Sequence, residues 1–184
     1  VVWTTLVADL ETPVSAFLKV ASGTSPAFLL ESVEGGAVRG RYSIIGLSPD
    51  LVCRVVGGRA EINRSALASP LAFQPCSQPP LHVLRELIAE CRIELPHELP
   101  PPSAGLFGYL GYDMVRQMEK LAEPKSDTLD TPDAMLVRPT IVVVFDSVKD
   151  TITVVTPVRR QADVSAKAAY ARAGERLAAI VDAL

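Results

Sequence analysis

The stretch Leu51-Val52-Cys53-Arg54-Val55-Val56-Gly57-Gly58-Arg59-Ala60-Glu61-Ile62 decides the fold class. Two runs rich in β-branched and apolar residues flank a Gly-Gly pair, which supplies the positive φ angles that a two-residue hairpin turn needs. The chain doubles back there, so its sheet is at least partly antiparallel. A second hairpin reads from the apolar run Ala134–Phe145, a turn over Asp146–Asp150 and a strand Thr151–Thr156. Upstream, Pro26 opens a strand over Ala27–Ser32, and another covers Tyr42–Leu47, stopped by Ser48-Pro49.

Helices stand between these hairpins. Thr12-Pro13 caps and starts a short one carrying Val14, Phe17, Leu18 and Ala21. Pro80 introduces a second, with Leu81, Leu84, Leu87, Ile88 and Cys91 on one stripe and Arg85, Glu86 and Glu90 opposite. The last spans Val164 to Leu184, with Arg159-Arg160 as a solvated end before it. Residues 65–80 and Leu95–Pro102 are loop connections rich in proline. Hairpins separated by isolated helices indicate an α+β fold with a largely antiparallel sheet, not the regular alternation of a doubly wound one.

Composition removes several function classes. A chain of 184 residues can bury one sizeable core, or just hold two small domains, and 48% hydrophobic residues exclude global disorder. A net charge of -3 without a Lys/Arg cluster argues against nucleic-acid binding. No apolar run reaches the roughly 18 residues that span a bilayer. There is no signal-peptide pattern, and a start at Val1 and not Met suggests a trimmed chain or a piece of a longer polypeptide. Cys53, Cys76 and Cys91 are odd in number and form no Cys-x-x-Cys, which fits a reducing cytoplasm; Cys53 and Cys91 fall at apolar positions, as core cysteines do.

Catalytic signatures are absent from the sequence. His82 and His97 belong to no metal-ligand spacing, so neither reads as catalytic or metal-binding. The glycines at 105, 108 and 111 enclose Phe107 and Tyr109 and fail the dinucleotide fingerprint. They read better as strand glycines that admit close backbone approach, with Asp113 capping the helix that follows. What remains is Leu29-Leu30-Glu31-Ser32-Val33-Glu34, followed by Gly40-Arg41-Tyr42-Ser43-Ile44-Ile45-Gly46. Glu31 can hold an ammonium, Ser32 can donate or accept, and Arg41 can fork onto a carboxylate, a set suited to a small zwitterion. Alternatively, Glu31 and Ser32 are a strand end meeting water, and Arg41 is an exposed cation or a partner for Glu31 or Glu34.

Three segments carry a family resemblance: Phe28-Leu29-Leu30-Glu31-Ser32, Gly40-Arg41-Tyr42-Ser43-Ile44-Ile45-Gly46, and Gly105-Leu106-Phe107-Gly108-Tyr109-Leu110-Gly111-Tyr112-Asp113. In this order and separation the chain resembles the N-terminal part of anthranilate synthase component I, over residues 1–184. The resemblance implies an enzyme that converts chorismate and glutamine (or ammonia) to anthranilate and pyruvate in tryptophan biosynthesis. It implies that Glu31 and Ser32 contact L-tryptophan, the feedback inhibitor, with Arg41, Tyr42 and Ser43 nearby. It further implies that chorismate and Mg2+ are bound by a C-terminal catalytic module lying beyond Leu184, so that residues 1–184 alone hold no cofactor and are inactive. The implied fold is part of an orthogonal β-sandwich with flanking helices, completed by that module. The implied partners are the module and a glutamine amidotransferase subunit (component II), for which residues 105–113 are the candidate contact.

Two other readings stay open. One is the N-terminal part of aminodeoxychorismate synthase component I, in the folate branch, where the same pocket would hold tryptophan as a structural ligand. The other is a stand-alone amino-acid-binding domain, against which a mean hydropathy of +0.26 mildly counts.

Overall fold

The computed structural model describes residues 1–21, 23, 26–32, 40–122, 130–162 and 164–184. In chain order the described elements are β1 (Val2–Val7), α1 (Pro13–Val20), β2 (Phe28–Leu30), β3 (Tyr42–Val56), β4 (Arg59–Asn63), β5 (Gln74–Pro75), α2 (Pro80–Cys91), β6 (Phe107–Leu110), β7 (Ala134–Asp146), β8 (Thr151–Thr156) and α3 (Ala166–Ala183). Short 3-10 helices occupy Pro101–Ser103 and Tyr112–Gln117. The fold is α+β, and every pairing with a resolved register is antiparallel.

The chain forms two compact units, residues 1–49, 93–104 and 139–184, and residues 50–92 and 105–138. In the first, β1 pairs β8, β8 pairs β7, β7 neighbours β3, and β2 pairs β3. Its core gathers Ile45 and Leu47 of β3, Ile141, Val143 and Phe145 of β7, Ile152 and Val154 of β8, Ala16 and Val20 of α1, and Ile180 of α3. Helix α1 starts where Thr12-Pro13 predicts. The Thr12 hydroxyl accepts from the Ser15 amide, and the Ser15 hydroxyl accepts from the Thr12 amide, a reciprocal capping box that satisfies two otherwise orphaned donors.

In the second unit, β3 and β4 make the hairpin read from the Gly-Gly pair, in the register Val56↔Arg59 and Val55↔Ala60. Gly57 and Gly58 sit at φ +54° and +73°, a combination that side chains disfavour and that matches the twist of the flanking strands. Leu51, Cys53 and Val55 point into a core with Val83, Leu84 and Leu87 of α2, Met114 and Ala134. Strand β6 pairs β7 with Gly108 opposite Leu136. A methyl group on Gly108 would lie 1.9 Å from the Met135 carbonyl oxygen, so the glycine does permit close backbone approach.

Several boundaries differ from the sequence reading. Strand β3 does not stop at Ser48-Pro49 but continues to Val56. Ser48 takes φ +49°, its carbonyl accepts from the Thr140 hydroxyl at 2.8 Å, and the inward residues 45, 47, 51, 53 and 55 keep one parity across it. Strand β1 goes unpredicted, and β2 is only Phe28–Leu30, which leaves Glu31 and Ser32 beyond its end. On α2, Val83 is buried and Ile88 is exposed, so the stripe is turned from the predicted one. Asp113 is not a cap: Gly111 takes the N-cap position, and Asp113 pairs with Arg116 at 2.8 Å. Helix α3 begins at Ala166, capped by the Ser165 hydroxyl, and of the pair Arg159-Arg160 the second is exposed and the first half-buried.

The glycines give opposite expectations. Gly108→Ala should destabilise the chain by about 1–3 kcal/mol or more, because backbone atoms must move to admit the methyl. Gly174→Ala, inside α3 with open space around it, should stabilise by about 1 kcal/mol through helix propensity. Thermal unfolding of the two variants beside wild type checks both signs.

Candidate effector-binding site

The residues singled out in sequence lie together in the first unit, where β2 ends and β3 begins. Their placement starts with an aromatic ring. Phe28 and Gly46 are cross-strand partners, and a Cβ on Gly46 would fall 2.1 Å from a Phe28 ring carbon, so the ring lies directly on the glycine. That contact pins the register Phe28↔Gly46, Leu29↔Ile45 and Leu30↔Ile44. A one-residue slip would turn every side chain of β2 to the opposite face, so the ring–glycine contact also sets where Glu31 and Ser32 leave the strand.

Ser32 is tied to the start of β3 at two points. Its amide donates to the Ser43 hydroxyl at 3.1 Å, and its own hydroxyl donates to the Tyr42 carbonyl at 2.6 Å. Ser43 is buried, whereas Glu31 is exposed. Of the two ways a strand-end serine could behave, Ser32 is therefore structured rather than merely wet.

Arg41 does fork onto a carboxylate, but onto one from its own chain. Its Nε reaches Asp146 Oδ1 at 2.9 Å and its Nη2 reaches Oδ2 at 2.7 Å, while the guanidinium sits 5.0 Å from the Tyr42 ring centroid. The Arg41 carbonyl in turn accepts from both the amide and the hydroxyl of Ser147, each at 3.0 Å. Arg41 is therefore not a free loop cation, and the carboxylate that its Nε and Nη2 meet is Asp146. Glu34, the other partner considered for it, lies outside the described residues.

Asp146 is the residue that sequence reasoning missed. It is 4% exposed, and its Oδ1 also accepts from the amides of Val148 and Lys149 at 3.0 and 3.3 Å. An Asp at the head of a turn commonly bonds amides two and three residues on, so the turn role was readable. The pairing with Arg41 spans 105 residues and was not. The Arg41 fork holds the Asp146 carboxyl below its ordinary value of 3.8, helped by the two turn amides and opposed by burial.

His82 pairs with Glu86 one turn along α2 at 3.1 Å. Burial pushes the Cys53 thiol up to about 11, which makes it an unreactive core group. Among the described residues no group of three or more His, Cys, Asp or Glu could hold a metal, the three cysteines form no disulfide, and no helix is long and apolar enough to cross a membrane.

The chain is similar over its full length to proteins named anthranilate synthase component 1. The one from Cereibacter sphaeroides is 52% identical over 184 residues, covering 100% of this chain and 36% of that protein. Those from Thermus thermophilus and Pseudomonas aeruginosa are 36% and 38% identical, over 91% and 96% of this chain and 34% and 35% of their own lengths. The chain thus spans about a third of these relatives and matches their N-terminal part. The crystal structure of anthranilate synthase component I from Streptococcus pneumoniae shares the fold, with a TM-score of 0.60 at 23% identity, over 96% of this chain and 36% of that one. No family model matches the chain.

The Arg41–Asp146 pair makes stability depend on acid. Because the Asp146 carboxyl is held low in the folded chain, its contribution is fully present above the unfolded value near 4 and is lost as pH falls through the lower folded value. Asp146→Asn should therefore be less stable than wild type at pH 7, with the gap closing below about pH 4. Urea denaturation midpoints between pH 3 and pH 7 check this, and a gap independent of pH would contradict it.

Proposed function

We infer that this chain is the N-terminal part of an anthranilate synthase component I, and we propose that it is the regulatory and scaffolding part of that enzyme. The observation that carries the reading is 52% identity to a protein of that name across all 184 residues. In this reading the whole protein is a lyase that converts chorismate, with glutamine or ammonia as nitrogen source, to anthranilate and pyruvate. The chemistry and its Mg2+ belong to the part of the relatives that this chain does not match. Residues 1–184 act as one N-terminal region, complete an orthogonal β-sandwich with the rest of the protein, and work beside a glutamine amidotransferase subunit. The exposed side chains of Tyr109, Leu110 and Tyr112 support residues 105–113 as a contact surface for that subunit.

The effector is L-tryptophan, bound partly at Glu31, Ser32, Arg41, Tyr42 and Ser43. The geometry supports this by placing an exposed carboxylate, Glu31, next to a serine fixed at both its amide and its hydroxyl. Glu31 meets the ammonium of an amino acid, and the fixed backbone around Ser32 offers polar groups to the rest of it. Control by such an effector works through differential binding to two arrangements of the enzyme, commonly worth about 1–3 kcal/mol.

The test is tryptophan inhibition of chorismate turnover in the full-length protein. Glu31→Ala or Ser32→Ala should raise the inhibition constant on the order of tenfold, because a hydrogen bond to a charged group is worth roughly 1.5–3 kcal/mol. Inhibition matching wild type in both variants would remove the site assignment. Calorimetric titration of tryptophan into residues 1–184, with and without the remainder of the protein, separates a shared pocket from a self-contained one. Binding only in the mixture supports the regulatory reading, and no binding in either, with both pieces folded, leaves a purely structural role for residues 1–184.

A further inference from the structure

We propose that the turn at residues 146–149 positions the effector site, acting on Ser32 through Arg41, so that Asp146 and Ser147 tune effector affinity without touching the effector. The inference rests on the assignment of that site to Glu31, Ser32 and residues 41–43.

One buried carboxylate does two things here. Asp146 Oδ1 accepts the Val148 and Lys149 amides and so closes the turn, and the same oxygen, with Oδ2, receives the Arg41 fork. A bidentate Arg–carboxylate pair fixes orientation as well as distance, because both groups are planar and meet in one plane. Ser147 adds a grip on the main chain, donating its amide and hydroxyl to the Arg41 carbonyl. Arg41 is thereby held at both its side chain and its backbone.

The two residues that follow Arg41 are the ones that hold Ser32. The Tyr42 carbonyl and the Ser43 hydroxyl accept the two Ser32 hydrogen bonds, so any shift of Arg41 is passed along one or two peptide units to Ser32. Peptide planarity leaves few soft torsions to absorb such a shift over that distance. Arg41 is therefore a strut, since its Nε and Nη2 bonds to Asp146 fix the plane and position of the guanidinium.

The experiment compares Ser32→Ala, Asp146→Asn, Ser147→Ala and the double variant Ser32→Ala/Asp146→Asn in the full-length protein. Tryptophan inhibition constants and calorimetric tryptophan binding are read for each, with thermal unfolding as the check on folding. Asp146→Asn should weaken tryptophan binding on the order of tenfold, as expected when a charge-assisted pair that orders a site is lost. Ser147→Ala should weaken it less, because the Ser147 amide still reaches the Arg41 carbonyl. The double variant should bind no more weakly than the weaker-binding single, because both changes act through Ser32. Additive losses would overturn the proposal. So would a lowered unfolding temperature for Asp146→Asn and Ser147→Ala with inhibition as in wild type; if Ser32→Ala weakens inhibition in that case, the site assignment survives and only the positioning role falls. Wild-type inhibition in Ser32→Ala would remove the site assignment and the positioning role with it. If Asp146→Asn does not fold, Ser147→Ala decides the matter by its inhibition constant alone.

Discussion

The alternation of inward side chains along β3 is the constraint on which the rest of the structure depends. Over fifteen residues, Tyr42–Val56, the strand gives Ile45 and Leu47 to one core and Leu51, Cys53 and Val55 to another. Each fully buried aliphatic side chain contributes about 1.5–3 kcal/mol relative to exposure, so a single strand anchors a large share of both cores. Its parity survives Ser48-Pro49, a pair that lacks one ladder donor and carries a positive φ. Local strain at one residue is small beside the burials of Leu51, Cys53 and Val55 that a break in phase would forfeit.

The start of the same strand organises the candidate site. Phe28 on Gly46 sets the register of β2, and the pairing of Ser32 with Tyr42 and Ser43 follows from that register. Glycine at 46 is thus a packing requirement: only a residue without Cβ leaves room for the ring. The Arg41–Asp146 pair closes the other side. Both partners come from strand ends, where a charged residue can stay partly wet while its fork is held by a buried carboxylate. The arrangement ties Ser32 to the Tyr42 carbonyl and the Ser43 hydroxyl, beside the exposed Glu31.

The chain's own contribution is geometric. It sets Glu31 beside a tethered serine and holds Arg41 with a turn whose carboxylate comes from 105 residues away. Regulation through such a site requires that the tether transmit position, and short hydrogen-bonded links along a strand start are suited to that.

Local patterns carried much of this in the sequence alone. The Gly57-Gly58 turn, the Thr12-Pro13 helix start and the apolar runs of β7 and β8 are short-range signals, because turn φ angles, capping and period-two burial depend on neighbours within a few residues. The segments bearing Glu31, Ser32, Arg41, Tyr42 and Ser43 stood out for their side-chain chemistry and for the family resemblance they carry. Tertiary structure decided what no local pattern contains. It carried β3 through Ser48-Pro49, because burial on both sides outweighs one broken ladder position. It turned α2 so that Val83 rather than Ile88 faces its core. It also gave Arg41 to Asp146, because which acid meets a given arginine depends on how strands far apart in sequence are brought side by side.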